Sequence, residues 1–166
     1  MALIELTAQT APHPLDFIEQ LATREEWPFD RSVEDEINLT VTSRWADYQV
    51  TFNWRDDLEG LHLVTTIDVK VPASRRAEMH RLIGRINEHL WFGHFEVWRE
   101  EGVLLFRYGL LLAGSAPVSQ GQCEAMLKLG LETCDRYFPS FQYVIWAGKT
   151  AEESIEAAMF ETAGSA

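Results

Sequence analysis

Imidazole and carboxylate groups come together once at close spacing in this chain, at His89, His94 and Glu96. Such groups suit zinc, and one helix end followed by one strand start would let the three converge into a metal-dependent enzyme. The spacing matches no established ligand motif, however, and His89 and His94 flank Gly93, a point of chain reversal where histidines commonly satisfy backbone carbonyls. Nucleophilic chemistry has less to stand on. Cys123 and Cys134 fall on an apolar helical face, where a thiol stays protonated and inert. In one helix they stand about 16 Å apart along the axis, too far for the Cα separation of roughly 7 Å that a disulfide tolerates. They read as small hydrophobes in a reducing compartment. Ser119 reads as a helix cap; there is no Gly-x-Ser-x-Gly elbow, no P-loop and no Gly-x-Gly-x-x-Gly phosphate loop. The paired carboxylates Glu34-Asp35-Glu36, Asp56-Asp57 and Glu100-Glu101 sit at turns or strand starts and read as solvated acidic loops.

Arg107 is the more informative charge. It stands between Phe106 and Tyr108 in an apolar run, where an unpaired guanidinium would be costly. It therefore requires an acidic partner, from a facing strand or from another subunit. Two roles follow: an intramolecular ion pair, or an anchor for a carboxylate on a bound peptide or ligand. Trp54 and Trp98 lie at strand ends beside charged turns, where an aromatic side chain either lids the core or serves an interface. Arg107, Tyr108, Trp98 and Trp54 are accordingly the candidate partner-binding residues.

The elements that position these groups follow from periodicity. Residues 1–12 carry no usable period and read as a loose arm. From Pro14 to Glu26 the apolar positions Leu15, Ile18, Leu21 and Ala22 recur at three and four, which predicts a helix with Pro14 in its first turn. The period then changes to two: Ile37, Leu39 and Val41; Tyr48, Val50, Phe52 and Trp54; Leu61, Leu63, Thr65, Ile67 and Val69. With short polar joints between them, these predict a three-stranded antiparallel meander. Pro72 opens a helix whose stripe is Met79, Leu82, Ile83, Ile86 and Leu90, with Gly93 ending it. A second hairpin runs from His94 to Trp98 and from Val103 to Leu112. Its last strand is apolar on both faces, which predicts a central strand or one covered by a partner. Ser119 with Gln122 forms a capping box ahead of a helix that Pro139 breaks; a short apolar segment with Phe141, Val144, Ile145 and Trp146 follows. Thr150 with Glu153 forms a second box ahead of the final helix, and residues 163–166 should fray. The order α-β-β-β-α-β-β-α-α predicts an α+β domain, an antiparallel sheet of about five strands with helices packed on one side.

A chain of 166 residues with 46% hydrophobic and 24% charged residues fits one globular domain spanning 1–166. Fourteen basic against 26 acidic residues give a net charge of −12, which repels phosphate backbones. Arg75, Arg76, Arg81 and Arg85 form a basic group, but Glu78 and Glu88 interleave with them, and a solvated helix face accounts for it. The first ten residues lack the features of a signal peptide, and no run approaches the ~20 apolar residues of a membrane span. A cytoplasmic protein without nucleic-acid or membrane partners is the expectation.

Three stretches carry a family resemblance: Ile86-Asn87-Glu88-His89-Leu90-Trp91-Phe92-Gly93-His94-Phe95-Glu96; Phe106-Arg107-Tyr108-Gly109-Leu110-Leu111-Leu112; and Cys134-Asp135-Arg136-Tyr137-Phe138-Pro139-Ser140-Phe141-Gln142, running on into Ala147-Gly148-Lys149-Thr150-Ala151-Glu152-Glu153. Together they resemble the bacterial YbjN family, over nearly the whole chain from about Leu15. The resemblance implies a fold similar to type III secretion chaperones, often dimeric, and a label of sensory transduction regulator. It carries no catalytic residues and no cofactor. The leading expectation is a non-enzymatic module, a homodimer that holds a protein partner of unknown identity. A small-molecule-sensing regulatory domain with an apolar pocket between helix and sheet is the second reading. An enzyme using His89, His94 and Glu96 is the third.

Overall fold

A computed structural model describes residues 12–163. The expected arm falls outside them except for Pro12, and the expected frayed tail except for Ala163. Ten elements follow in order: α1 (Pro14–Arg24), β1 (Phe29–Val33), β2 (Glu36–Thr42), β3 (Asp47–Arg55), β4 (Gly60–Lys70), α2 (Arg76–Asn87), β5 (His94–Val97), β6 (Val103–Leu111), α3 (Gln120–Ile145) and α4 (Ala151–Ala163). The strands form one antiparallel sheet in the order β1-β2-β3-β4-β6-β5. β6 is thus an inner strand, one of the two settings its two apolar faces allowed.

Alternation places one face of the sheet inside. Ile37, Leu39 and Val41, then Tyr48, Val50 and Phe52, then Leu61, Leu63, Thr65 and Ile67 are all buried, while the residues between them are not. The helices cover that face, and their apolar stripes join the strand residues in a single core. α3 comes closest at Gly130, where a Cβ atom would stand 2.8 Å from Leu63 Cδ2 and 3.3 Å from Thr65 Oγ1. Any larger side chain would hold the helix off the sheet. Phe95 anchors the far half of α3: its ring lies 5.3, 6.0 and 5.0 Å from those of Phe106, Tyr137 and Phe141.

Both capping boxes form. Ser119 Oγ accepts from Gln122 N and Gln122 Oε1 from Ser119 N; Thr150 and Glu153 make the same reciprocal pair. The four arginines of the basic group are absorbed by the fold. Arg75 donates to the carbonyls of Val144, in the last turn of α3, and of Lys149 beyond it, and Arg76 to those of Val71 and Arg99. Arg81 pairs with Glu78, and Arg85 with Glu152.

Three expectations need correction. The sheet has six strands rather than five, because β1 was not foreseen. Four of its five residues are exposed, so burial imposes no alternation, and pairing with β2 alone holds it. Pro139 does not break α3, which runs unbroken to Ile145. The ring removes one N–H, a loss of about 3 kcal/mol in an isolated helix, but Phe138, Pro139, Ser140, Phe141 and Val144 are all buried and hold the segment in place. Finally, α2 stops at Asn87 rather than carrying Leu90 on its stripe, because Asn87 turns its side chain to the neighbouring strand.

Candidate partner-binding surface

The outer face of the sheet, which no described helix covers, is polar over β2 and β3. It changes character at β5 and β6. Leu105 points outward from β6 and is nevertheless fully buried, outside the main core. Its strand partners on that face are Glu96 and Thr66. Two places beyond Leu105 is Arg107. Its Nη1 donates to Glu96 Oε1 at 3.1 Å and its Nε to His62 Nε2 at 3.2 Å. Trp98 Nε1 donates to the same Glu96 oxygen at 3.2 Å, and His94 Nε2 lies 3.8 Å from the other. The acidic partner that Arg107 required is therefore Glu96, on the facing strand. Partial burial lowers the pKa of His62 below its ordinary value of 6.5, and the Arg107 guanidinium beside it pushes the same way. A neutral His62 then serves Arg107 as an acceptor.

The loop between α2 and β5, residues 88–93, is fixed at both ends. Asn87 Nδ2 donates to Phe95 O at 3.0 Å and Asn87 Oδ1 accepts from Phe95 N at 2.8 Å, a two-point clamp on the strand backbone. At the other end Gly93 has φ +70°, with Phe106 Cζ only 2.3 Å from where a Cβ would be. No other residue fits that position. Between these fixed points Trp91 is 92% exposed and Phe92 53% exposed, the latter with its ring 5.7 Å from that of Tyr108. Trp98, 49% exposed, follows the other end of β5. Two tryptophans thus flank this four-residue strand. On β6 beyond Arg107, Gly109 leaves open space and Leu111 is 69% exposed.

Of the four candidates, Arg107 and Trp98 meet through Glu96 on the outer face. Tyr108 and Trp54 sit on the inner face instead, where both are partly buried against the core; Trp54 makes an edge contact with His13. Trp91 and Phe92 were not among the candidates. Their signal is an aromatic pair set directly before a glycine and off the stripe of the preceding helix.

His89, His94 and Glu96 do not converge. His94 and Glu96 share the outer face of β5, but His89 lines a cleft among the helices, and among the described residues no group of three His, Cys, Asp or Glu side chains is placed to hold a metal. Cys123 and Cys134 are both buried and unpaired with each other. Burial pushes the Cys123 thiol up to about 11, and Cys134 rises further for the same reason.

Residues 14–143 match the model of the YbjN family, described as "Putative bacterial sensory transduction regulator". The chain belongs to the YbjN family. Three of the stretches that carry the resemblance fall in the clamped loop with β5, in β6 and in α3, inside the matched residues, whereas residues 147–153 and α4 lie past them. Among solved structures, the YbjN protein of E. coli, described as "a putative transcription regulator", is similar with a TM-score of 0.52 and 12% identity, covering 75% of this chain and 88% of that one. Its likeness establishes a shared YbjN fold. The ExsC–ExsE complex follows with a TM-score of 0.49 and 20% identity, over 74% of this chain and 88% of the other. No curated protein matches the chain significantly. No described helix is long and apolar enough to cross a membrane.

Proposed function

We propose that this YbjN-family chain is a non-enzymatic regulatory module that binds a protein partner through the surface around β5. Trp91 carries the reading. An indole left 92% exposed on a loop pinned by Asn87 and Gly93 loses little conformational freedom on docking. Burial of one such ring contributes roughly 4–6 kcal/mol of apolar transfer, which makes Trp a frequent anchor of interfaces. Phe92 and Trp98 extend the apolar area, and Arg107 supplies a cation beside Trp98, both bonded to Glu96. Tyr108 supports Phe92 from the inner face, and Trp54, on β3, packs against the core. The module acts in the cytoplasm of a bacterium, as a homodimer.

The test compares proteins crosslinked in a lysate of the native host by the wild type, by Trp91→Ala with Phe92→Ala, and by Arg107→Met. Partners captured reproducibly by the wild type and lost with the aromatic pair, at unchanged melting temperature, support the surface. Capture unaffected by those substitutions sinks it. For Arg107→Met, lost capture with unchanged melting assigns the guanidinium to the partner, whereas a fall in melting temperature assigns it to Glu96 alone. A solution mass equal to one chain at micromolar concentration would remove the dimer.

A further inference from the structure

The helical layer holds a cleft of about 360 Å³ between α2, α3 and α4, a volume in the range of small-molecule sites. Its walls are apolar, with Ile86 from α2 and Ile155 and Met159 from α4. Its polar side chains are Arg85, His89 and Arg136, with Tyr137 and Ser140. Arg136 and His89 reach it from α3 and from the turn after α2, and neither side chain has an ion pair or hydrogen bond among the described residues. Arg85 also lines it but is already paired with Glu152. Among the described residues no carboxylate lines the cleft.

Ser140, 1% exposed, adds a hydroxyl to the lining.

We infer that this cleft binds a small carboxylate with an apolar body. Arg136 and His89 donate to the carboxylate, and a cation free of competing acids loses no existing pair in doing so. The Ser140 hydroxyl donates a further bond, and the hydrocarbon lies against Ile86, Ile155 and Met159. One wall belongs to α4, which is outside the residues matched by the family model, so the site is a property of this chain rather than of the matched fold. The inference is independent of the partner surface, because α2, α3 and α4 cover the opposite face of the sheet.

Octanoate, octanol and acetate serve as probes of charge and tail, with binding read by calorimetry and by thermal unfolding of the full chain. Octanoate should bind saturably and raise the melting temperature, while octanol and acetate each bind at least about tenfold more weakly. Arg136→Gln should weaken octanoate about tenfold or more and leave the ligand-free melting temperature unchanged, because the residue is exposed and unpaired. Ala158→Trp, which fills the cleft, should abolish binding; should that variant fail to fold, Arg136→Gln decides. Absence of saturable octanoate binding at millimolar concentration overturns the site. Equal affinity for octanol, or octanoate binding unaffected by Arg136→Gln, overturns it as well.

Discussion

The Tyr48 hydroxyl donates to Asp135 Oδ1 at 2.8 Å, joining the third strand to the third helix across 87 positions of sequence. The other carboxylate oxygen accepts from Ser43 Oγ at 2.5 Å and from Arg44 N at 3.4 Å, so one aspartate fastens the whole β2–β3 turn to α3. Nearby, Arg44 lies over the Trp45 ring, which stacks on Phe138. Burial together with the bond to Asp135 raises the Tyr48 pKa well above its ordinary value, so it remains a donor throughout the working range of pH. Asp135→Asn should lower stability by about 1–3 kcal/mol and Tyr48→Phe by about 1 kcal/mol, measured from urea unfolding midpoints. Equal midpoints for Asp135→Asn and the wild type would show that the turn is held by other contacts.

Gly93, just before β5, and Gly109, on β6, face opposite constraints. An alanine at 93 meets a positive φ, the Phe106 ring and, at 2.7 Å, the carbonyl of Arg107. Gly93→Ala should cost at least about 2 kcal/mol. Gly109→Ala enters open space and should stay within about 0.5 kcal/mol of the wild type. Thermal unfolding of the two variants side by side measures the contrast.

Thr65 presents the core's one buried side-chain oxygen without a partner among the described residues, under the point where Gly130 brings α3 onto the sheet. Thr65→Val keeps the branched shape and removes the orphaned hydroxyl. It should stabilise the chain by about 1–2 kcal/mol, seen as a higher urea midpoint at unchanged slope. A loss of stability would mean that the hydroxyl is satisfied in solution.

His62 gives stability a pH dependence of definite sign. Its folded pKa lies below the ordinary 6.5, so between the two values the unfolded chain binds more protons than the folded one. The contribution is complete above about 6.5 and is lost as pH falls from there toward the folded value. His62→Gln should flatten the fall in stability just below pH 6.5 relative to the wild type, in urea titrations at half-unit steps. Parallel profiles would remove His62 from the acid response.

The three strands of the meander were legible because each buries one face, so period two is written into Ile37 to Val69. β1 was illegible for the converse reason: its side chains face solvent, and only its backbone commits it to the sheet. Pro139 misled because local propensity argues for a break while long-range packing around Phe95 and Phe141 decides otherwise. Arg107 was found from its apolar neighbours; its need for an acid left a facing strand or another subunit as the source, and Glu96 on the facing strand supplies it. Trp91 escaped notice because exposure is a property of the folded surface, and sequence alone does not separate an outward indole from one that lids the core.

The clamp of Asn87 on Phe95 has a bearing on how copies of this protein meet. Phe95 turns its N–H and C=O away from β6, toward the rim of the sheet, and a carboxamide from the same chain already occupies both. That margin is hemmed, so another molecule gains little by zipping its own strand onto it. Association is steered from backbone pairing toward side-chain surfaces, and with it the protein is guarded on this side against the open-ended stacking that ends in fibres.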